Sequence, residues 1–297
     1  PTNTFAAVPS ATGSENYTLS FTVSQQITPA AKVSFGKFNV VDLADKTPLQ
    51  GGNGQGGFQY TGIAAPPSFM FPPYVFGAQL SYKTDPINYS LFVYDPNNAQ
   101  GNDFWDNLFQ DGITLNGTAT FKTNLGGLPG FYAVNLIYST AEAQDYSAIV
   151  AAPPLPGTNT TVGNESFVAF KFQQFLSRGQ GGPGRGWGVF GQIGMGDRRG
   201  NQIEKVYILG FGGDSPIAGR ETDRWGVAYA RYDWADGFRQ ALATSGTGLR
   251  DEWAVEAFYE AAITDTIRIG ANVLHVRPGT PGFADLTQLG FRIRATF

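Results

Sequence analysis

The sequence has no cysteine, and charged residues make up only 15% of its 297 residues. The absence of cysteine excludes disulfide bonds, thiolate catalysis and cysteine-based metal sites. No apolar run reaches the roughly 18 to 20 residues that a membrane-spanning helix requires. Basic residues do not cluster, and a net charge of −4 leaves no basic surface for nucleic acid. Soluble domains contain roughly 25% charged residues, so this composition favours a chain that faces lipid on one side.

The abundant features are aromatic residues, at 14%, and 39 glycines, together with strict alternation of apolar and polar positions. Alternation with a period of two places successive side chains on opposite faces of a strand. In the last strand, one face carries Leu289, Phe291, Ile293, Ala295 and Phe297, and the other carries Gln288, Gly290, Arg292, Arg294 and Thr296. Arginines are costly in a dry core but not beside a water-filled lumen, so the polar face is expected to be wet.

Similar two-faced segments predict about thirteen strands, and tilted strands of about ten residues suit a bilayer. The predicted fold class is an all-β, transmembrane, antiparallel up-and-down β-barrel. The predicted strands are 15–26, 31–42, 76–84, 87–95, 112–123, 130–141, 165–176, 185–197, 205–214, 223–236, 252–264, 266–277 and 287–297.

Tight turns alternate with long connections along the chain, as in barrels that have short periplasmic turns and longer external loops. We interpret residues 1–297 as one barrel domain. Bacterial single-chain barrels have an even strand number, so an odd count predicts that N-terminal strands are missing. Three further strands would give sixteen, and one would give fourteen. With sixteen, the Gly- and Pro-rich segment 42–75 follows the fifth strand and is the candidate inward-folded constriction loop.

Three C-terminal segments carry a family resemblance: "GWGVFGQIGMGD" (Gly186–Asp197), "PIAGRETDRWGVAYARYDWADG" (Pro216–Gly237) and "LRDEWAVEAFYEAAITDTIRIGANVLHVRPG" (Leu249–Gly279). They resemble the carbohydrate-selective outer-membrane porins of the OprB type, and "VSFGKF" (Val33–Phe38) resembles the strand before that family's constriction loop. The resemblance is good over roughly 185–297 and 31–45 and weak between 85 and 165. It implies a sixteen-stranded barrel with an arginine-lined eyelet that passes sugars by facilitated diffusion.

The charged side chains that alternation places in the lumen are candidate pore-lining and solute-contacting residues. These are Lys83, Lys122, Lys171, Glu256, Glu260, Arg268, Arg292 and Arg294. Opposed charges in a constriction orient polar solutes, and guanidinium or carboxylate groups can replace water on sugar hydroxyls. The alternative is that the charges only pair across strands and hold the wall in shape.

The candidate constriction loop combines aromatic rings with amide and carboxylate groups, a combination that suits sugar binding. Its candidate residues are Asp42, Asp45, Lys46, Gln50, Gln55, Phe58 and Tyr60. The glycine-rich stretch "GGNGQGG" also leaves open a flexible external loop.

The sequence therefore predicts a passive outer-membrane channel for small hydrophilic solutes, with sugars favoured. A non-selective porin, a structural or accessory barrel and a soluble β-sandwich hydrolase are the alternatives. No enzymatic activity, cofactor, metal or nucleic-acid partner is expected. The expected partners are outer-membrane lipid, lipopolysaccharide and transported sugars, and a homotrimer is left open.

Overall fold

The computed structural model describes residues 20–40, 49–50, 57–68, 70–99, 103–146, 148, 160–179, 184–244 and 246–296. Within them, 13 long strands form one antiparallel sheet in which consecutive long strands are hydrogen-bonded to each other. Two additional two-residue strands, Ala143–Gln144 and Thr161–Val162, pair with each other in a small separate sheet.

The bounds follow in chain order. They are β1 (Phe21–Gln26), β2 (Ala31–Asn39), β3 (Tyr74–Lys83), β4 (Ile87–Tyr94), β5 (Thr114–Leu125), β6 (Leu128–Ser139), β7 (Ala143–Gln144), β8 (Thr161–Val162), β9 (Glu165–Phe175), β10 (Trp187–Gly196), β11 (Ile203–Asp214), β12 (Arg224–Trp234), β13 (Glu252–Ala262), β14 (Ile267–Arg277) and β15 (Leu286–Ala295). The helices are α1 (Thr61–Ala64) and α2 (Asp236–Thr244), and Asp103–Asn107 forms a 3-10 turn.

The predicted all-β fold with thirteen antiparallel strands is confirmed. The short helical elements and the β7–β8 pair, all in connections between the long strands, were not predicted. Alternation could not reveal them, because they are too short or too polar to carry a periodic apolar signal. Within the described part of the chain, neither helix combines the length and the apolar character needed to cross a bilayer.

The outward face of the sheet carries large apolar side chains that stay exposed in the part of the chain that the structure describes. On β15, Leu289, Phe291 and Ile293 are 77%, 68% and 67% exposed, and Val134 and Leu136 on β6 are 53% and 54% exposed. A continuous apolar surface of this kind is unfavourable in water and is typical of a lipid-facing wall.

The inward face is largely buried by a segment of the chain between β2 and β3. Residues 57–68 and Met70 form hydrogen bonds or ring contacts with β4, β10, β12, β13 and β15. One segment can touch strands this far apart only if the sheet curves around it. The sheet therefore encloses an interior, and the segment lies in it.

Asp223 holds together two of the short turns at one end of the sheet. Its side chain is fully buried. It accepts hydrogen bonds from Arg220 Nε at 2.6 Å, from the Tyr259 hydroxyl at 2.6 Å and from the Ala262 amide at 2.8 Å. Burial alone would raise the pKa of Asp223, but the hydrogen bonds from Tyr259, Ala262 and Arg220 hold it below its ordinary value.

We expect Asp223→Asn to destabilise the protein at neutral pH by about 1–3 kcal/mol, because a buried charge-assisted network loses its acceptor. A carboxyl whose pKa is lowered by folding contributes stability above its unfolded pKa, and this contribution is lost as the pH falls through the folded value. The free energy of unfolding of the variant should therefore fall less steeply than that of wild type as the pH drops below about 4. Urea unfolding in detergent between pH 2 and 7 tests this, with Asp265→Asn in the exposed β13–β14 turn as control. Equal acid dependence in both variants would contradict the assignment.

Candidate functional site

The segment 57–68, here called the strap, lies against the inner face of the sheet. It begins at Gly57, whose φ of 109° is readily available only to glycine. After Tyr60 it forms the single helical turn α1, which ends at Ala65 with φ −144° and ψ 72°. Pro66 follows, and a residue before proline is disfavoured in helical conformation, so the helix stops there. The local sequence thus gives a compact, turned segment rather than an extended loop.

Two buried carboxylates on β13 hold the strap. Glu256 accepts hydrogen bonds from the amides of Gln59 and Tyr60, each at 2.8 Å, and from Asn272 Nδ2 at 3.1 Å. Glu252 accepts the Tyr60 hydroxyl at 2.8 Å and the Gly279 amide at 3.0 Å. Backbone N–H groups buried in the interior need acceptors, and carboxylates make the stronger, charge-assisted bonds.

Tyr60 can act only as a donor in this arrangement. Burial raises the pKa of its phenol well above the ordinary value, and the charge of Glu252 raises it further. The hydroxyl therefore stays protonated and donates to Glu252 at any pH the outer membrane meets. The anchor does not depend on the titration of Tyr60.

An apolar contact complements these bonds. The Phe58 ring lies 4.9 Å from the ring of Phe258 and 5.7 Å from that of Phe190, edge-on to both. A Cβ at Gly226 would come within 2.8 Å of Phe58, so glycine there leaves the space that the ring fills. The Tyr232 hydroxyl on β12 donates a hydrogen bond to the carbonyl of Gly62 in the strap. Phe58, Tyr60 and Tyr232 are fully buried, so this part of the interior is dry.

Further contacts tie residues next to the strap to other parts of the wall. The Leu49 amide donates to Gln173 Oε1 on β9 at 3.3 Å, and Gln50 Nε2 donates to the Ile63 carbonyl. Asn201 Nδ2 donates to the Ser68 carbonyl at 3.0 Å, and the Tyr94 hydroxyl on β4 donates to the Met70 carbonyl at 2.9 Å. The strap is therefore held on several sides.

A second charged cluster surrounds Glu260, which is only 1% exposed. Arg294 contacts its carboxylate at 2.7 Å, and Arg268 and Arg292 contact it at 3.6 Å. Arg292 also donates to the carbonyl of Gly57 at 2.7 Å and lies 5.6 Å from the centre of the Phe258 ring. Three guanidinium groups thus share one carboxylate beside the start of the strap.

The three predicted lumen lysines lie elsewhere on the inner face. Lys83 on β3 is exposed, and Lys122 on β5 and Lys171 on β9 are half-buried. Strand pairing sets Lys171 opposite Ala133 and Gln192. These lysines are not part of the arginine cluster, so the structure separates the predicted pore-lining set into two groups.

The predicted loop residues are only partly covered by the structure. Asp42, Asp45, Lys46 and Gln55 lie outside the described residues, whereas Gln50, Phe58 and Tyr60 contact the wall or the strap. For Glu256 the sequence left open a contact with solute or a role in the wall alone. In the structure its oxygens accept hydrogen bonds from the strap and Asn272.

Glu252 and Tyr232 contact the strap but were not among the predicted site residues. Glu252 lies four residues before Glu256, and alternation alone would have put it on the same face. Tyr232 contacts Gly62, 170 positions away in the chain, and no local pattern indicates such a pair.

A family model and a related protein both match this chain to porins. The family model described as carbohydrate-selective porin, OprB family, matches residues 2–297. Porin B of Pseudomonas aeruginosa is 26% identical over 195 residues, which cover 59% of this chain and 43% of that protein. The chain thus matches less than half the length of this relative.

Two solved structures share the fold. The high-pH structure of Pseudomonas putida OprB aligns with a TM-score of 0.74 at 20% identity, covering 93% of this chain and 72% of that one. Pseudomonas aeruginosa OpdK, solved with vanillate, aligns with a TM-score of 0.56 at 10% identity, covering 93% and 68%.

Proposed function

Because the chain belongs to the OprB family of carbohydrate-selective porins, we propose that it forms a passive channel through which sugars cross the outer membrane. The family is one of outer-membrane β-barrel porins, not of enzymes. Transport by such a channel needs no energy source, because the solute moves down its own gradient.

The observation that carries this proposal is the strap fixed across the inner face. A strap bound by Glu252, Glu256 and Arg292 reduces the cross-section available to solute to a defined size. We assign residues 42–75 the role of constriction loop.

The charged wall supplies the second element of the proposal. Arg268, Arg292 and Arg294 outnumber the single carboxylate of Glu260, so this part of the lumen carries a net positive charge. Guanidinium forks donate paired hydrogen bonds to oxygen-rich solutes. Lys83, Lys122 and Lys171 extend the basic character to the other side of the lumen. Lipid and lipopolysaccharide contact the outward face.

Conductance of single channels in planar bilayers tests the proposed function. We expect discrete openings in salt, and a decrease of the current that saturates as a neutral sugar such as glucose is added. A non-selective porin would pass the sugar without saturation. An accessory barrel would give no openings above background, and either result would overturn the proposal.

A further inference from the structure

The inner wall formed by β3, β4, β5 and β6 carries a continuous row of small polar side chains. Strand pairing sets Ser81 opposite Ser90, Ser90 opposite Thr118, and Thr118 opposite Asn135. Residues paired in this way share a face, and adjacent strands lie about 4.8 Å apart. The four side chains, here called the polar row, therefore form a track of hydroxyl and amide groups across four strands.

The polar row lies at the boundary between the packed interior and its more open end. One step towards the long connections, Phe92 and Ile137 are 3% and 2% exposed and belong to the apolar packing. One step towards the short turns, pairing aligns Lys83, Asn88 and Thr120. Ser81, Ser90 and Thr118 are only half-buried, so a solute in the lumen can reach them.

The wall around the polar row has no acidic residue: β3, β4, β5 and β6 contain neither Asp nor Glu. Hydroxyl and amide groups both donate and accept hydrogen bonds, as sugar hydroxyls do. A carboxylate accepts only, and a guanidinium donates only. The polar row therefore matches a neutral polyol better than an ion.

The polar row is also held in position before any solute binds. Asn135 Nδ2 donates to Thr118 Oγ1 at 2.9 Å and to the Gly117 carbonyl at 3.1 Å. Gln79 Nε2 donates to Ser90 Oγ at 3.3 Å. In the adjacent row, Asn88 Oδ1 is buried without a hydrogen-bond partner in the described structure, although buried polar atoms are normally paired. Fixed groups lose little entropy when a ligand binds.

We propose that the polar row is a binding subsite for neutral polyhydroxylated solutes, and that it, rather than the Glu256 wall, contacts the passing sugar. This inference rests on the proposed function and adds the part of the wall that contacts the solute. The cross-strand spacing places hydroxyl groups at intervals similar to the width of a pyranose ring. A sugar ring that lies flat on this wall contacts several of these hydroxyl groups at once. Because the positions are only half-buried, the sugar can also dissociate from them.

Thr118→Val tests the subsite, because it removes the hydroxyl and keeps the shape of the side chain. We expect the glucose concentration that halves the channel current to rise about fivefold, the effect of one lost hydrogen bond. Conductance in salt alone should not change. Thr118→Ser keeps the hydroxyl, so glucose should block it at the same concentration as wild type. Thr287→Val, on the outward face of β15, is the matched control. Glucose should block this variant, too, at the same concentration as wild type.

The outcomes separate this inference from the proposed function. If glucose blocks wild type and Thr118→Val at equal concentrations, the subsite is wrong and the sugar channel stands. If glucose block is weakened as much in Thr287→Val as in Thr118→Val, the effect does not come from the polar row and the proposed subsite is again wrong. If no neutral sugar blocks wild type, the proposed function itself fails.

Discussion

Glu256→Gln is expected to release the strap and to give larger, noisier single-channel currents than wild type. Glutamine has one acceptor oxygen, and its Nε2 would face an amide N–H that also donates. Gln59 and Tyr60 would then compete for one acceptor, and one buried N–H would remain unpaired. We expect the free energy of unfolding to fall by about 3 kcal/mol, because hydrogen bonds to a buried carboxylate are lost. Single-channel recording gives the first result and urea unfolding gives the second.

Glu204→Gln is the matched control for this experiment. Glu204 also lies on the strand wall, but its ion pairs are with Arg198 at 2.9 Å and Lys205 at 3.3 Å, outside the strap. The control should keep the wild-type conductance and noise. Wild-type conductance in Glu256→Gln as well would mean that the carboxylate does not hold the strap.

Glu260→Gln is expected to make the channel more selective for anions and to destabilise it by about 3–5 kcal/mol. Arg268, Arg292 and Arg294 share this buried carboxylate, so its neutralisation removes the counter-charge that the three guanidinium groups have in common. Removing one partner of a buried ion pair costs more than the pair contributes, because the remaining charge stays desolvated. The reversal potential in a salt gradient measures the selectivity.

The double variant Glu260→Gln/Arg294→Gln is the control for charge. It removes the carboxylate together with the guanidinium closest to it, so the net charge of the cluster is that of wild type. Its reversal potential should return towards the wild-type value. A single variant with an unchanged reversal potential would mean that the cluster does not face the ion path.

The sequence was sufficient to predict the thirteen strands because apolar and polar residues alternate along them, and this pattern is visible within each short segment. Arg292 and Arg294 alternate with Phe291 and Ile293, and the structure leaves the two apolar residues exposed on the outward face. The same alternation selected Glu256, Glu260 and the three arginines as inner-face residues. What alternation gives is the face on which a side chain lies.

The partners of those side chains could not be predicted in the same way. Glu256 meets residues 197 and 196 positions earlier in the chain, and Arg292 meets Gly57, 235 positions earlier. Such contacts depend on how far the sheet curves and where the strap lies, and neither leaves a periodic signal. From its charge and its face, Glu256 could therefore be predicted only as a solute contact or a wall residue, and the structure pairs it with the strap.

Thiol labelling of single-cysteine variants tests the central claim most directly, since the chain has no cysteine of its own. We expect a charged, membrane-impermeant maleimide to label Ser90→Cys on the inner face quickly. Leu91→Cys on the lipid-facing side and Ile63→Cys in the buried turn of the strap should react slowly, and adding Glu256→Gln should speed labelling of Ile63→Cys alone. Equal labelling of Ile63→Cys and Ser90→Cys in the otherwise wild-type protein would contradict a strap fixed across the lumen.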